Sequence, residues 1–495
     1  MRNLPGAISR AAAQSAAAHV DSLAAAYWQA ELGRFPESAT IHGFAGPRNA
    51  RLTDLSPRAA WDARLHELLR AAATVDAERL DPAGRVNLAM LREAASRQLA
   101  GRIWRRELWT VDQLNGPQVE FATLAALQPI GTATERAHLL ARWRRMGPYL
   151  DQHVKNLRTG LDSGYVAARI NVERVIDQLD RLLADPPDSS ALSAPARRAG
   201  RAGAGGFNAA VHATVRRGIY PALRRYREFL RDDYLPRSRT EPGVSGIPSG
   251  AACYRALIRV HTSLNLSADS IHRIGLEEVA AIRREMLDVA RRRFHSENLD
   301  SLLPALPLDT GLTFATRAEA FDTAEQAVAR MERKLPELFG RLPRRRVVVQ
   351  EMPAFEERDA PAAYYFPGTA DGSRPGRYLV NTYDPRQRPR YTAEVLAYHE
   401  AVPGHHVQIA LSQELPLPDF RRYGGGSTAL VEGWALYTER LADEAGMYSS
   451  DLDRISGAST MRCSQTGRWR CRSWRSRYRP GSRPGGPQVE SGDGA

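Results

Sequence analysis

The spacing of apolar residues along the chain predicts a mainly α-helical protein. From about residue 15 to residue 185, Leu, Val and Ile recur three and four positions apart, as in "RAAWDARLHELLRAAATV" and "VERVIDQLDRLLADPP". This is the period of a helix with one buried face. Helices are predicted again at about 207–236 and at 267–294, where a Ser/Asp cap opens the pattern.

Two short apolar segments predict strands, "RVVVQE" (346–351) and "GRYLVNT" (376–382). Two further helices are predicted at about 390–415 and 427–446. The Ser/Ala/Pro/Gly-rich stretch 187–206 is predicted to be a loop or linker. We therefore expect a large, mainly α fold with a small β-sheet beside the helices of a candidate site.

The composition is that of a globular protein, because 43% of the 495 residues are hydrophobic and 25% are charged. The chain contains no apolar run long enough to span a membrane, and its N-terminus lacks the apolar core of a secretory signal. Three cysteines provide no disulfide framework. The sequence therefore predicts a cytoplasmic protein with no membrane partner.

The net charge of +13 raises the question of a nucleic-acid partner. Much of the excess lies near the C-terminus, where residues 461–495 contain eight arginines and two carboxylates. Elsewhere Arg, Asp and Glu alternate as they do on solvated helix faces. We predict no nucleic-acid partner and interpret 458–495 as a disordered Arg-rich tail. A nucleic-acid-binding arm is the least favoured alternative.

The stretch "YHEAVPGHHVQIA" (398–410) begins like the zinc-binding motif H-E-x-x-H and then departs from its spacing. After His399-Glu400, the next histidines are His405 and His406. On a continuous helix His405 lies about 600° around from His399, and His406 lies about 10.5 Å along the axis. Neither pair could bind one zinc ion through bonds of about 2.0–2.1 Å, so a metal site requires a break in the helix.

Pro403 predicts that break. It has no N–H to donate, its ring clashes with the carbonyl four residues earlier, and it favours an extended Val402. It is also suited to open a new helical segment. A turn over Ala401–Gly404 could bring His405 back beside His399, with His406 as a supporting residue or a substrate contact.

A third ligand is available in "LVEGWALYTERLADE" (430–444), where Glu432 lies near the start of a predicted helix. This string is similar to the third-ligand segment of gluzincin aminopeptidases. Two His and one Glu leave a fourth position open, as in catalytic zinc sites, and Glu400 would act as the general base. Glu439 is an alternative ligand or a carboxylate that supports a ligand histidine.

The similarity to gluzincins also implies an edge strand that pairs with the substrate backbone just before the His-Glu helix. Strand 377–382 and its Asn381 are the candidates, together with Tyr383 and His406 for substrate binding. Tyr365 and Arg374 are candidate catalytic residues that would polarise a carbonyl or hold a carboxylate. Alternatively, the segment around Asp371-Gly372 is a hairpin turn without a function.

Several strings together resemble the bacterial domain-of-unknown-function family numbered 885, whose members are zinc metallopeptidase-like. The matching strings include "FPESAT" (35–40), "YHEAVPGHHVQIALSQEL" (398–415) and "VEGWALYTERLADEAGMY" (431–448), and the resemblance covers roughly 20–457. It implies a helical metallopeptidase-like domain at 15–457, with the metal-site region at 346–448. The expected cofactor is one zinc ion on His399, His405 and Glu432, and the expected substrate is a peptide or small amide.

The chain departs from the family pattern after about residue 457. Members continue with an Arg-rich helix and an Asp-Thr-Gly-x-His type segment, whereas this chain continues with Arg, Trp, Cys and Gly. We attribute this segment to a frameshift in a GC-rich gene. The leading hypothesis is a zinc-dependent peptidase, and the alternative is a truncated, catalytically impaired or binding-only remnant of that family.

Overall fold

The fold is mainly α-helical with one small sheet, as predicted. The structure is a computed structural model that describes residues 4–56, 59–203, 205–354 and 356–454. The predicted tail at 458–495 lies outside these residues. Within the described part of the chain, no helix is long and apolar enough to cross a bilayer.

The N-terminal helices pack against a helix that comes from the other end of the chain. They are α1 (Leu4–Arg34), α2 (Pro36–Ile41), α3 (Ala59–Ala73) and α4 (Pro82–Ala100). The next helix, α5 (Pro117–Leu127), belongs instead to the largest buried cluster. Trp28 of α1, Leu65 of α3 and Leu91 of α4 are buried in one cluster with Phe420. The side chain of Asp81 caps α4 by accepting a hydrogen bond from the Gly84 N–H.

The largest buried cluster joins the five following helices. They are α6 (Ala133–Ser163), α7 (Arg169–Ala184), α8 (Ala194–Ala199), α9 (Phe207–Thr214) and α10 (Tyr220–Glu228). A π-helical segment, Val215–Ile219, joins α9 to α10. The predicted helix at 207–236 is therefore confirmed.

The stretch 187–206 is not a linker. It contains a 3-10 turn, Ala191–Ser193, followed by α8. Leu192 and Ala196 are buried in the same cluster as α6 and α7. The prediction rested on the Ser/Ala/Pro/Gly composition and did not take into account Leu192 and Ala196, which attach the segment to the core.

A buried arginine connects the N-terminal segment to α6. Arg142 is fully buried, and its Nε and Nη2 donate to the carbonyls of Arg51 and Arg48 at 2.7 and 2.9 Å. Its Nη1 donates to Thr40 Oγ1 and Gln128 Oε1 at 2.6 and 2.5 Å. A buried charge is tolerated only when its hydrogen bonds are satisfied, so these partners fix the position of α2.

The next helices lead to the sheet. They are α11 (Gly250–Thr262), α12 (Ala268–Phe294), α13 (Leu299–Ala305) and α14 (Arg317–Leu338). Ser267 caps α12 as predicted, because its hydroxyl accepts from the Ser270 N–H at 3.0 Å. Short 3-10 helices occur at Pro47–Ala50, Ala77–Arg79, Gly101–Trp104, Arg106–Leu108, Gly200–Gly203, Leu235–Arg237, Val244–Gly246, Leu306–Leu308, Thr310–Leu312, Pro385–Gln387 and Arg390–Thr392.

The sheet has three strands, β1 (Val348–Glu351), β2 (Ala363–Phe366) and β3 (Arg377–Val380), in the order β1-β3-β2. Strand β3 pairs in parallel with β1 and antiparallel with β2. The predicted strands at 346–351 and 376–382 are confirmed, and β2 was not predicted. The central position of β3 leaves β1 and β2 as the edges.

Four helices complete the described chain beside the sheet. They are α15 (Ala393–Leu396), α16 (His405–Glu414), α17 (Asp419–Tyr423) and α18 (Thr428–Glu444). A π-helical turn, Ala397–Ala401, extends α15. Tyr398, Val402 and Val407 are buried in one cluster with Tyr378 of β3, so the sheet supports the segment that carries the candidate ligands.

Candidate metal centre

The helix that carries His399 ends where Pro403 predicts. The π-helical turn stops at Ala401, Val402 is extended (φ −125°, ψ 128°), and the Val402–Pro403 peptide bond is cis. Helix α16 then begins at His405 rather than at Pro403. Gly404 lies so close to the His399 carbonyl that a Cβ at this position would collide with it, so the tight turn requires a glycine.

This turn places His405 against His399, with ring centroids 4.9 Å apart and ring planes at 86°. Glu432 of α18 faces both rings. Its Oε2 lies 3.4 Å from His399 Nε2 and 3.7 Å from His405 Nε2. A tetrahedral zinc with bonds of 2.0–2.1 Å holds its ligand atoms about 3.3 Å apart. Glu432 Oε2 is therefore near the spacing from each imidazole Nε2 that a shared zinc ion would require.

Glu439 holds the other side of the His399 ring. It is buried, two helical turns after Glu432 on α18, and its Oε1 lies 2.7 Å from His399 Nδ1. Burial lowers the pKa of His399, but the hydrogen bonds to the two carboxylates outweigh it and raise the pKa to about 10. Two carboxylates that stabilise a positive charge at this ring are also suited to a bound cation.

Glu400 lies beside this group. Its Oε2 accepts the Tyr365 N–H at 2.9 Å and is 3.8 Å from His405 Nε2. Burial raises the pKa of Glu400 to about 7, which suits a group that accepts and returns a proton. His399, Glu400 and His405 each offer a ligand atom within 4.8 Å of the others.

Glu432 fits the third ligand position better than Glu400 does. Its Oε2 is within 4.0 Å of both imidazole Nε2 atoms, whereas Glu400 approaches that of His405 alone. The Glu400 oxygen is also occupied by a main-chain N–H. Of the two carboxylates, Glu432 therefore lies nearer to both imidazoles, and Glu400 is hydrogen-bonded to the main chain beside them.

His405 has the properties of a neutral ligand. Burial, and then the charge on His399, lower the pKa of His405 to about 4. The unprotonated imidazole is the form that binds a metal, so His405 is already in that form, whereas His399 would release a proton when a cation binds. The Nδ1 atom of His405 is buried without a hydrogen-bond partner among the described residues.

Helix α18 also fixes the turn between the histidines. Trp434 Nε1 donates to the carbonyls of Pro403 and Gly404 at 3.0 and 3.1 Å. Thr438 Oγ1 donates to the Tyr398 carbonyl at 3.1 Å. Neither residue had a predicted role, although the aromatic residue in the Glu-Gly-Trp string was visible in the sequence. Helix α18 thus supplies Glu432, which faces both imidazoles, Glu439, which contacts the His399 ring, and the donors that hold the turn.

Residues 36–464 match the family described as "bacterial protein of unknown function (DUF885)". The chain belongs to the DUF885 family. No curated protein matches it.

Two solved structures are similar to this DUF885 protein. One is described as a putative lipoprotein from Colwellia psychrerythraea and has a TM-score of 0.78 and 22% identity, covering 91% of this chain and 81% of that one. The other, described as a putative lipoprotein of unknown function from Shewanella oneidensis, has a TM-score of 0.60 and 16% identity, covering 88% and 80%. At these identities the likeness concerns the fold.

His406, predicted as a substrate contact, has both ring nitrogens engaged within the DUF885 domain. Its Nε2 is 3.0 Å from the Arg345 carbonyl oxygen, and its Nδ1 is 3.1 Å from the Tyr365 hydroxyl. An Nε2–H that donates to the carbonyl leaves Nδ1 to accept from the tyrosine. Of the two adjacent histidines, His405 is therefore the one beside His399.

The side chains of Tyr365 and Arg374, which were predicted to be catalytic, form hydrogen bonds with other protein groups. The Tyr365 hydroxyl hydrogen bonds to His406, and its main-chain N–H is the group that reaches Glu400. The Arg374 guanidinium donates to the Ile41 carbonyl and, at 3.3 Å, to the Pro367 carbonyl. Both hydrogen bonds come from Nη2 and join the end of α2 to the loop before β3, so this contact holds the two segments together.

The predicted substrate-binding strand is also corrected. Because β3 is hydrogen-bonded on both sides, 377–382 is not an edge strand. Asn381 is buried, and its Nδ2 donates to the carbonyls of Glu357, Ala360 and Pro361 at 2.6–3.3 Å. It thus holds a loop. The Tyr383 N–H donates to Asn381 Oδ1, and its side chain is 37% exposed.

Proposed function

We propose that this DUF885 protein is a zinc-dependent hydrolase that cleaves peptide or small amide bonds. The observation that carries the proposal is that Glu432 Oε2 lies 3.4 and 3.7 Å from the Nε2 atoms of His399 and His405, which is about the spacing of zinc ligands. When bound, a zinc ion supplies a Lewis acid that polarises a carbonyl and lowers the pKa of a water.

The surrounding residues have separate roles in this proposal. Glu400 accepts the proton of the attacking water and delivers it to the leaving nitrogen. Glu439 fixes the orientation of the His399 ring. Trp434 holds the turn that returns His405 to the centre.

The outer edge of β2 is the proposed substrate surface. Successive main-chain groups of an antiparallel edge strand point alternately toward and away from its partner. The Tyr365 N–H reaches Glu400, so the main-chain groups of Tyr365 and Ala363 point away from β3. Because Glu400 accepts the Tyr365 N–H, a peptide would pair with the Tyr365 carbonyl and the Ala363 main-chain groups of this edge, next to the general base. This edge replaces the strand 377–382 as the candidate.

Metal analysis and peptide hydrolysis together test the proposal. We expect stoichiometric zinc in protein purified without chelator, and release of new amino termini from a mixed peptide substrate. Glu400→Gln should retain zinc and lose hydrolysis, whereas His399→Ala and His405→Ala should lose the metal. Glu277→Gln, a surface control on α12, should resemble the wild type. Zinc-free wild-type protein would overturn the proposal.

A second candidate is a catalytically impaired or binding-only member of the family. The observation that favours it is that the family match ends at residue 464, a few residues into the Arg-rich segment 458–495. Stoichiometric zinc without hydrolysis by the wild-type protein would support it. Translation of the downstream DNA in the other two frames tests the proposed frameshift.

The cytoplasmic location and the absence of a nucleic-acid partner are also part of the proposal. The lipoprotein descriptions belong to the two similar proteins. Fractionation of cells that express the native gene would test the location of this chain. Binding to nucleic acid that weakens steeply with salt would contradict the second expectation.

A further inference from the structure

A second concave site lies on the face of α16 that carries His406. It is a pocket of about 250 Å³. Arg344, Arg345 and Arg422 contribute its charged wall, and Tyr365 and His406 contribute to its lining from below. The proposed function does not use this pocket.

The positive charge of the wall is only partly compensated. Arg344 pairs with Glu414, the only carboxylate that lines the pocket, with 3.4 Å between Nε and Oε2. Arg422 pairs with Asp419 at 3.2 Å and donates to the Gln413 carbonyl. Arg345 is exposed, and no carboxylate among the described residues lies within ion-pair distance of it. The pocket therefore keeps an unneutralised guanidinium.

The backbone holds Arg345 over the pocket. Its carbonyl oxygen accepts from His406 Nε2 at 3.0 Å, which fastens the segment to the floor. Its guanidinium lies against Gly372, where φ is +73° and where a Cβ would collide with the guanidinium. The loop after β2 thus accommodates this side chain because it has a glycine at that position.

The lower lining carries no opposing charge. The Tyr365 hydroxyl and both nitrogens of His406 are hydrogen-bonded to protein groups. A guanidinium presents its N–H groups in a planar fork that matches two oxygens of one anionic group. Arg344 and Arg422 bring two further guanidiniums to the lining, each paired with one carboxylate.

We propose that this pocket binds a compact oxyanion, a phosphate or a carboxylate group, through the Arg345 guanidinium. The two groups share the chemistry of two or more oxygens that carry a delocalised negative charge. A phosphoryl group and a carboxylate-bearing small molecule are the two possible sources of that chemistry.

Calorimetric titration of the full chain tests the proposal. The protein is titrated with inorganic phosphate and, separately, with N-acetylglycine, at constant ionic strength. A chelator is present throughout, because a bound metal ion would itself bind phosphate. We expect saturable binding of at least one anion. Tighter binding of phosphate assigns the pocket to phosphoryl groups, and tighter binding of N-acetylglycine assigns it to carboxylates.

Three variants locate the binding. Arg345→Gln should weaken it at least tenfold. Arg346→Gln removes the same charge one residue away, from a guanidinium that pairs with Glu332 at 3.5 Å, and should leave the affinity within twofold of the wild type. Gly372→Ala changes no charge and should weaken binding by displacing the Arg345 guanidinium.

Two results would overturn the proposal. One is that neither anion binds saturably, and the other is that Arg345→Gln and Arg346→Gln lose the same amount of affinity. Unchanged urea unfolding of the variants establishes that they are folded. Because the titration uses metal-free protein, its outcome is independent of whether the protein is a zinc hydrolase.

Discussion

Replacing Glu439 by glutamine isolates the contribution of a buried carboxylate to metal affinity. A glutamine side chain has nearly the same volume, and its carbonyl oxygen could still accept from His399 Nδ1. The substitution removes the negative charge that stabilises the ring on the side away from the proposed metal. Because Glu439 is almost fully buried, solvent screens this charge little.

Two estimates give similar magnitudes for the effect. Loss of a carboxylate that supports a ligand histidine weakens metal affinity about 10- to 100-fold, which is about 1.4–2.8 kcal/mol. A hydrogen bond to a charged group contributes about 1.5–3 kcal/mol, and the Nδ1–Oε1 distance of 2.7 Å is that of a strong one. We therefore expect zinc affinity to fall by one to two orders of magnitude in Glu439→Gln.

Competition with a chromogenic zinc chelator measures this affinity. Glu444→Gln, on the same helix and in an exposed pair with Arg440, is the control and should retain wild-type affinity. Circular dichroism should show equal helix content in the wild type and both variants. Wild-type zinc affinity in Glu439→Gln would refute the role of His399 Nε2 as a ligand oriented by this carboxylate.

Three further predictions concern the structure around the site and in the core. In urea unfolding, Arg142→Met should lower the free energy of unfolding by about 3–5 kcal/mol, because it leaves buried acceptors unpaired. The control Arg144→Met, at an exposed position, should change it by less than about 0.5 kcal/mol. Gly404→Ala should lower the free energy of unfolding by about 1–3 kcal/mol, because the added Cβ collides with a carbonyl, and it should weaken zinc binding in chelator competition. The control Gly433→Ala, where a Cβ meets nothing within 4 Å, should leave the free energy of unfolding unchanged or raise it. Burial lowers the pKa of His153 to about 4. The neutral ring therefore stabilises the folded protein above the ordinary pKa of histidine, and this stabilisation is lost as the pH falls below that value. In unfolding measurements at pH 7 and pH 5, His153→Gln should reduce the drop in the free energy of unfolding between the two pH values by about 2 kcal/mol.

The local chemistry of proline and glycine made the break at 403–404 predictable from the chain alone. The choice between His405 and His406 was harder, because adjacent residues on a helix point about 100° apart and the path of a turn depends on its packing. That path is held by Trp434, some thirty residues further along the chain. The neighbouring residues were thus enough to predict that 398–410 belongs to a folded site. The orientation of its side chains could not be predicted from them, because it depends on a distant helix.

Errors in the prediction occurred where the partner of a residue is far away in sequence. Arg374 was assigned to catalysis, but its acceptor is the carbonyl of Ile41, 333 positions away. Which strands form the edges of a sheet likewise depends on strand order. Strand β2 was not predicted, because its short segment runs into Pro-Gly, and 377–382 was therefore taken for an edge strand. The stretch 187–206 was predicted as a loop or linker from its composition, although Leu192 attaches it to the core.

Helix α18 has a consequence for the motions of the protein. It carries Glu432 and Glu439 on one face and forms hydrogen bonds through Trp434 with the turn that precedes His405. In the proposed site an ion would be shared between α18 and the segment 399–405, so α18 could not detach without releasing it. Ligands that bind only the closed form suppress such openings by mass action. Amide hydrogen exchange along α18 would then slow with rising zinc concentration, and metal content would be coupled to the local unfolding of this helix.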